Sequence, residues 1–545
     1  MFSIMKFILT TRGFLAFCLA LVLTACGGGG GGTAARDTGA TGPAPAPVPT
    51  PTPTPVPPPA PLAPGAWTAP SGSTPAAGNY VYLQSDNGDY IGLGRTWQYS
   101  SADSVIKVSG KGLIINVGVQ GNQTWNGEFQ LPNASAVPQA GFFNNLARAP
   151  MVDPAVGGLM WFGEGRGCTT SASWVVIDKV VLTDGVMTAL DMRFEQHCEG
   201  STAALRGQIH WVATDTSVGQ PAAPAAIPAS LWQPAASTLP ASGNYLYLES
   251  RFGDYIGGAR TYVYTQANAI FRLNTISNYL RVDMTGDEEW TGEFKGLLSM
   301  SQLAPGYYAG LRAYPFNNPV FGGMNWSGEG RGCSTLDGWF VIDSISFSGG
   351  VLSAIDLRFE QYCGGTGSGG PLRGKLHWTA NDSISPPGPQ NPPPAGLWKP
   401  DASLASVPGN YVYLVSDKDD WVGNGATQLL TPGNTTISVE TNLTAALHIR
   451  TGGIGGWDGH FVGMNTLSRL EPGYYGSLQA WPFHNPTRGG MDWSGNGRAC
   501  GNLTGWFVVD QVSYSLGELT SIDLRFEQRC NNLAPALHGA IHWTK

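Results

Sequence analysis

Asp-x-Arg-x-Glu occurs three times in this chain, as Asp191/Arg193/Glu195, Asp356/Arg358/Glu360 and Asp523/Arg525/Glu527. Paired carboxylates several ångströms apart are what glycoside hydrolysis requires. On a strand, however, residues two apart share one face. Here an arginine stands between the acids, and the following strand of each copy can set basic residues or His210, His377 and His542 opposite them. A ladder of outward charges, with each cross-strand pair contributing roughly 0.2–1 kcal/mol, accounts for the motif without catalysis. The recurring histidines are one per copy with no His or Cys beside them, so they predict hairpin partners for the carboxylates, and neither a metal site nor a cofactor is expected. No Gly-x-Ser-x-Gly elbow supports nucleophilic chemistry.

A second recurring group is Gly-Glu-Gly-Arg-Gly-Cys, at Gly163–Cys168 and Gly328–Cys333, which becomes Gly495-Asn496-Gly497-Arg498-Ala499-Cys500 in the third copy. Glycine-rich loops hold phosphate well when a helix N-terminus follows, and none is predicted here. The default reading is a tight turn beside a disulfide; the sharper one places Arg166, Arg331 and Arg498 on the rim of a binding site. Trp161, Trp326 and Trp493 are expected in the loop segment just before this cysteine turn, and Tyr308 and Tyr475 lie earlier in their copies. Aromatic rings beside arginine can stack on sugars or anchor an interface. These eight residues are the candidate ligand-binding set, against the plainer alternative that the rings fill a core.

The elements that would carry these groups follow from the repeat, the strongest signal in the chain. Each copy opens on a tryptophan (Trp67, Trp232, Trp398) and continues through a Gly-Asn-Tyr strand at Gly78, Gly243 and Gly409. An Asp-Tyr-Ile-Gly turn follows at Asp89 and Asp254, written Asp420-Trp421-Val422-Gly423 in the third copy, and then Trp-x-Gly-x-Phe from Trp125, Trp290 and Trp457. The spacing predicts domains at 66–213, 230–380 and 396–545, separated by proline-rich linkers. Charged residues are 12% of the chain and glycines number 75, and no helical period extends over ten residues beyond the N-terminus. Period-two alternation, as in Ile355/Leu357/Phe359 against Asp356/Arg358/Glu360, predicts half-buried strands. The expected fold is therefore all-β: three tandem, jelly-roll-like β-sandwiches. Cys168/Cys198, Cys333/Cys363 and Cys500/Cys530 each lie 30 apart, so the repeat predicts one disulfide within each copy.

At the N-terminus, Lys6 and Arg12 precede an apolar stretch, Gly13 to Leu23, that is too short to span a bilayer. It ends in Leu23-Thr24-Ala25-Cys26, which resembles the lipobox of bacterial lipoproteins. The resemblance implies a signal peptide over 1–25, lipidation of Cys26 and a cell-envelope location, with the outer membrane favoured because no Asp follows the cysteine. An ordinary cleaved signal peptide would instead leave Cys26 an unpaired thiol. Residues 26–65 read as a disordered Gly- and Pro-rich stalk, whose proline-rich part from Thr41 to Pro64 is long enough to hold the first domain about 70 Å from the anchor if extended. The terminal hairpin, Phe194 to Gly200 with Leu205 to His210, is similar to hairpins of secreted bacterial proteins of unassigned function, and this resemblance implies no activity.

A formal charge of −8 offers no basic footprint for nucleic acid. Membrane contact is expected through the lipid alone. Three copies multiply avidity for a ligand, whereas an enzyme gains little from triplication. The sequence thus predicts a non-enzymatic surface lipoprotein that binds a glycan or protein partner. Its alternatives are a structural envelope or matrix component without a discrete ligand and, third, a polysaccharide hydrolase.

Overall fold

A computed structural model describes residues 65–545, apart from 135, 151, 218, 383–385, 387, 442 and 454–455. The signal segment, Cys26 and the stalk up to Pro64 lie outside the described residues. Among the described residues the only helices are two 3-10 turns, Ala236–Thr238 and Ala402–Ser406, and no helix is long and apolar enough to cross a membrane.

The strands of the first repeat are β1 (Tyr80–Ser85), β2 (Thr96–Ser100), β3 (Val105–Lys111), β4 (Ile114–Gln120), β5 (Thr124–Gln130), β6 (Gly141–Arg148), β7 (Gly158–Gly163), β8 (Ser171–Thr183), β9 (Val186–Cys198) and β10 (Ala204–Val212). They pair in the order β2-β1-β10-β9-β8-β6-β7-β5-β4-β3, and the second and third repeats reproduce this order strand for strand. Among the described residues the fold is all-β, as the alternation predicts, with three ten-stranded sheets for three repeats.

Strand β6 turns each sheet into a sandwich. It begins antiparallel to β8, at Gly141 to Leu146, and ends parallel to β7, at Ala147 and Arg148. The register shifts between Phe143 and Leu146, where Asn145 takes a positive φ of 54°. A bulge of this kind bends and twists the strand, and the sheet folds over on it. Phe129 of β5 and Trp161 of β7 then meet Phe194 of β9 across the core, with ring centroids 5.4 and 5.0 Å apart. The Trp-x-Gly spacing has its reason here. A Cβ at Gly127 would stand 2.4 Å from the Trp161 ring, and the same holds at Gly292 under Trp326.

The fold at β6 leaves a gap in the hydrogen bonding, and one side chain fills it. Beyond Leu159, β7 has no strand on the β6 side, so the Trp161 N–H and C=O would be buried without partners. Gln196, fully buried on β9, accepts from Trp161 N at 2.7 Å and donates to its carbonyl at 3.0 Å. Gln361 does this for Trp326 (2.9 and 2.9 Å) and Gln528 for Trp493 (2.9 and 2.8 Å). A carboxamide carries one acceptor and donors, so it can stand in for a missing neighbouring strand.

Each repeat holds one disulfide, Cys168–Cys198, Cys333–Cys363 and Cys500–Cys530, as the 30-residue spacing predicts. Successive repeats also touch. Asn318, buried, donates from Nδ2 to Asp103 O (2.9 Å) and Asn122 Oδ1 (3.1 Å) of the first repeat. Asn485 makes the matching pair to Asn268 O (2.9 Å) and Asp287 Oδ1 (3.0 Å) of the second.

Candidate functional site

The structure corrects most of the predicted ligand-binding set. Trp161, Trp326 and Trp493 are not loop residues: each lies on β7 or its counterpart, where period-two alternation turns it into the core beside Phe194, Phe359 and Phe526. Tyr308 and Tyr475 are buried as well, stacked on Phe340 and Phe507 at 4.2 and 4.3 Å. Their phenols close local loops by donating to Ala304 O and Glu471 O, and desolvation pushes the Tyr475 hydroxyl up to about 12. Their neighbours Tyr307 and Tyr474 point outward instead. One ring of each pair does leave the core, with the opposite parity to that expected.

Arg166, Arg331 and Arg498 are half-buried and stand on the rim, where their Nε atoms have structural partners. They donate to the carbonyls of Ile91 (2.8 Å), Ile256 (2.7 Å) and Val422 (2.9 Å), tying the cysteine loop to the Asp-Tyr-Ile-Gly turn. That turn presents what the sequence reading did not nominate. Asp89, buried, accepts from Ser85 Oγ (2.8 Å) and from the amides of Gly92 (2.6 Å) and Ile91 (3.3 Å). Asp254 and Asp420 repeat the first two contacts. Held by this knot, the next residue has nowhere to pack, and Tyr90, Tyr255 and Trp421 are 55%, 60% and 60% exposed. The third copy keeps an aromatic ring while changing its type, and Trp421 Nε1 reaches Ala499 O on the cysteine loop at 3.1 Å. In the second repeat Phe252, 94% exposed, stands on the same turn. The signal lay in the motif itself, an aromatic residue next to a turn aspartate.

The carboxylate motif is fully engaged, but it is not simply an outward ladder, since Arg358, Glu360 and Arg525 are buried. Asp191, Asp356 and Asp523 face His210, His377 and His542 at 2.5, 2.9 and 2.6 Å, and each histidine ring stacks on Tyr80, Tyr245 or Tyr411. Arg193, Arg358 and Arg525 pair with Asp178, Asp343 and Asp510. They also donate to the carbonyls of the opening tryptophans, Trp67, Trp232 and Trp398. Glu195 takes bonds from His197, Arg206 and Trp174. Burial alone would raise its pKa, but these donors outweigh it and hold the carboxyl below its ordinary value.

A shallow cavity of about 470 Å³ recurs beside this face in the last two repeats. Leu311, Trp339, Glu360 and Tyr362 line one, and Leu478, Trp506, Glu527 and Arg529 the other. Its tryptophans are packed against Tyr307 and Tyr474 and are nearly buried, leaving little ring for a ligand.

Two histidines outside that recurring set do converge. In the third repeat His448, Asp458 and His460 bring ligand atoms within 4.8 Å of one another. The two histidines sit on neighbouring strands and are paired only by register, which their spacing in the chain does not reveal. Comparison of the chain with protein-family models, with curated proteins and with solved structures finds no match.

Proposed function

We propose that this chain is a lipid-anchored envelope protein whose three β-sandwiches present a row of exposed rings that bind a glycan by avidity rather than acting on it. The carrying observation is the repeated display of Tyr90, Tyr255 and Trp421 from one aspartate-knotted turn in each repeat. A ring held rigidly in water costs little ordering entropy when a sugar face stacks on it. Each contact is weak alone, but three linked sites raise apparent affinity by about 10²–10⁴ when a polymer spans them. The depressed Glu195 supports the non-catalytic reading, since a general acid in glycoside hydrolysis needs a raised pKa. The lipobox-like Leu23–Cys26 segment and the proline-rich stretch support the anchor and the spacing.

The test is a glycan array probed with the full chain and with a Tyr90→Ala/Tyr255→Ala/Trp421→Ala variant. Signal on one polymer class that disappears in the triple variant is expected. Signal unchanged by the three substitutions would overturn the site. The contacts of Asn318 and Asn485 between repeats favour one other reading, a passive spacer, which an array without signal would support.

A further inference from the structure

We propose that His448, His460 and Asp458 form a binding site for a divalent transition metal of the zinc class on the outer face of the third repeat. The strands Ile437–Glu440, Ala446–Thr451, Trp457–Val462 and Gly490–Gly495 are the third repeat's counterparts of β3, β4, β5 and β7. Their register sets Glu440, His448, His460 and Asp492 in one row across the sheet, with Asp458 two residues along from His460 on the same face.

The fold does not require these residues. The positions of His448, His460 and Asp458 are taken by Asn116, Glu128 and Asn126 in the first repeat and by Arg281, Glu293 and Thr291 in the second, with the same register. The histidine pair therefore belongs to the third repeat alone.

The spacing of the ligand atoms is compatible with coordination. His448 Nε2 lies 3.1 Å from both carboxylate oxygens of Asp458, and His460 Nδ1 lies 3.4 Å from Oδ1. Ligand atoms about 2.0–2.1 Å from a tetrahedral metal are separated by about 3.3–3.4 Å. The two imidazoles stack at 4.0 Å and Trp481 stacks on His460 at 3.9 Å, so a shared metal, which must lie in the plane of each imidazole it binds, requires one ring to tilt out of the stack. His460 Nδ1 is buried and makes no hydrogen bond. His448 turns its other nitrogen toward Glu440 at 3.9 Å, the outer-shell carboxylate that often orients a metal-bound imidazole. Two imidazoles and one carboxylate favour zinc, copper or nickel over calcium or magnesium, and they leave one coordination position for water or a ligand.

Arg450 stands where the metal would go. Its Nε is 3.2 Å from His448 Nε2 and 3.3 Å from Asp458 Oδ2, and its side chain is 55% exposed. The guanidinium compensates the carboxylate in the metal-free protein and also reaches Glu440 at 3.7 Å, and a divalent cation that replaces it at Asp458 would leave it beside Glu440 or in solvent.

The experiment is calorimetric titration of the full chain, stripped with EDTA and dialysed, with ZnCl₂ and in parallel with CaCl₂. One zinc per chain is expected and no calcium signal at the same concentrations. His448→Arg with His460→Glu, which copies the second repeat's compatible pair, should weaken zinc by about 100-fold or more and abolish the zinc-induced rise in Tm. His448→Asn, which copies the first repeat, gives a second variant should the double one fold poorly. Arg450→Gln should bind zinc as tightly as the parent or several-fold more tightly, because a competing cation is gone. His542→Gln, which changes a histidine outside the cluster, should leave the isotherm unchanged. Zinc binding that survives the His448 and His460 substitutions, or none at all in the parent, would overturn the proposal. So would a tenfold weakening by Arg450→Gln.

Discussion

Replacing Gln196 by leucine keeps the volume of a buried side chain and removes the only partners of two backbone groups. The Trp161 amide and carbonyl, now bonded at 2.7 and 3.0 Å, would face hydrocarbon in the sandwich core. A buried polar group left unsatisfied costs about 1–3 kcal/mol, so the pair costs about 2–6 kcal/mol, offset in part by the apolar surface leucine buries. Against a typical domain stability of about 5–15 kcal/mol, that should leave the first repeat marginal. Hydrogen exchange resolved by peptide is the assay, because three repeats need not unfold together. Amides of β5, β7 and β9 should lose protection by at least about 2 kcal/mol, while the third repeat, whose Gln528 is untouched, keeps its own. A loss below about 0.5 kcal/mol in those peptides would refute the view that the carboxamide replaces a missing strand.

Cys333→Ser with Cys363→Ser should lower the stability of the second repeat by about 3 kcal/mol without changing its strand order, checked by urea unfolding and far-UV circular dichroism. Stability should fall on acidification for a definite reason. The hydrogen bond from Arg206 holds Asp86 below its ordinary value, and Glu195 is likewise depressed. Carboxylates depressed in the folded state contribute stability that is complete above their unfolded pKa and is lost as pH falls through the folded one, below about pH 4. Arg206→Met should flatten that part of the pH profile of Tm, and an unchanged profile would count against the pairing. Asn318→Ala removes both bonds to the first repeat, so small-angle scattering should report a broader distribution of distances between repeats while each repeat's Tm moves little.

Much of this architecture was legible because its signals are local or periodic. The triplication, the alternation of Leu357 and Phe359 with Arg358 and Glu360, and the equal cysteine spacing each need only a few neighbouring residues to be read. The charge ladder follows from strand geometry only in part: the histidines lie on the next strand, but Arg193, Arg358 and Arg525 pair back to Asp178, Asp343 and Asp510 on the preceding one. The burial of Trp161 could also have been read, since Leu159, Trp161 and Gly163 alternate inward on β7, but the surrounding glycines suggested a loop. The remaining features depend on tertiary placement. Gln196 is a polar residue on a core face, and its use is invisible until β6 leaves β7. The exposure of Tyr90 depends on Asp89 being buried in a knot with Ser85, four residues before it. His448 and His460 meet only because one hairpin register sets them opposite each other.

Multivalent recognition requires that the rings on the rim act together. Surface plasmon resonance on an immobilised glycan polymer, with chains carrying alanine at none, one, two or all three of Tyr90, Tyr255 and Trp421, measures that cooperation as a dissociation rate. Apparent affinity should fall about tenfold or more with each ring lost, mainly through faster dissociation, and vanish with the third. Equal dissociation rates across the four chains would contradict it.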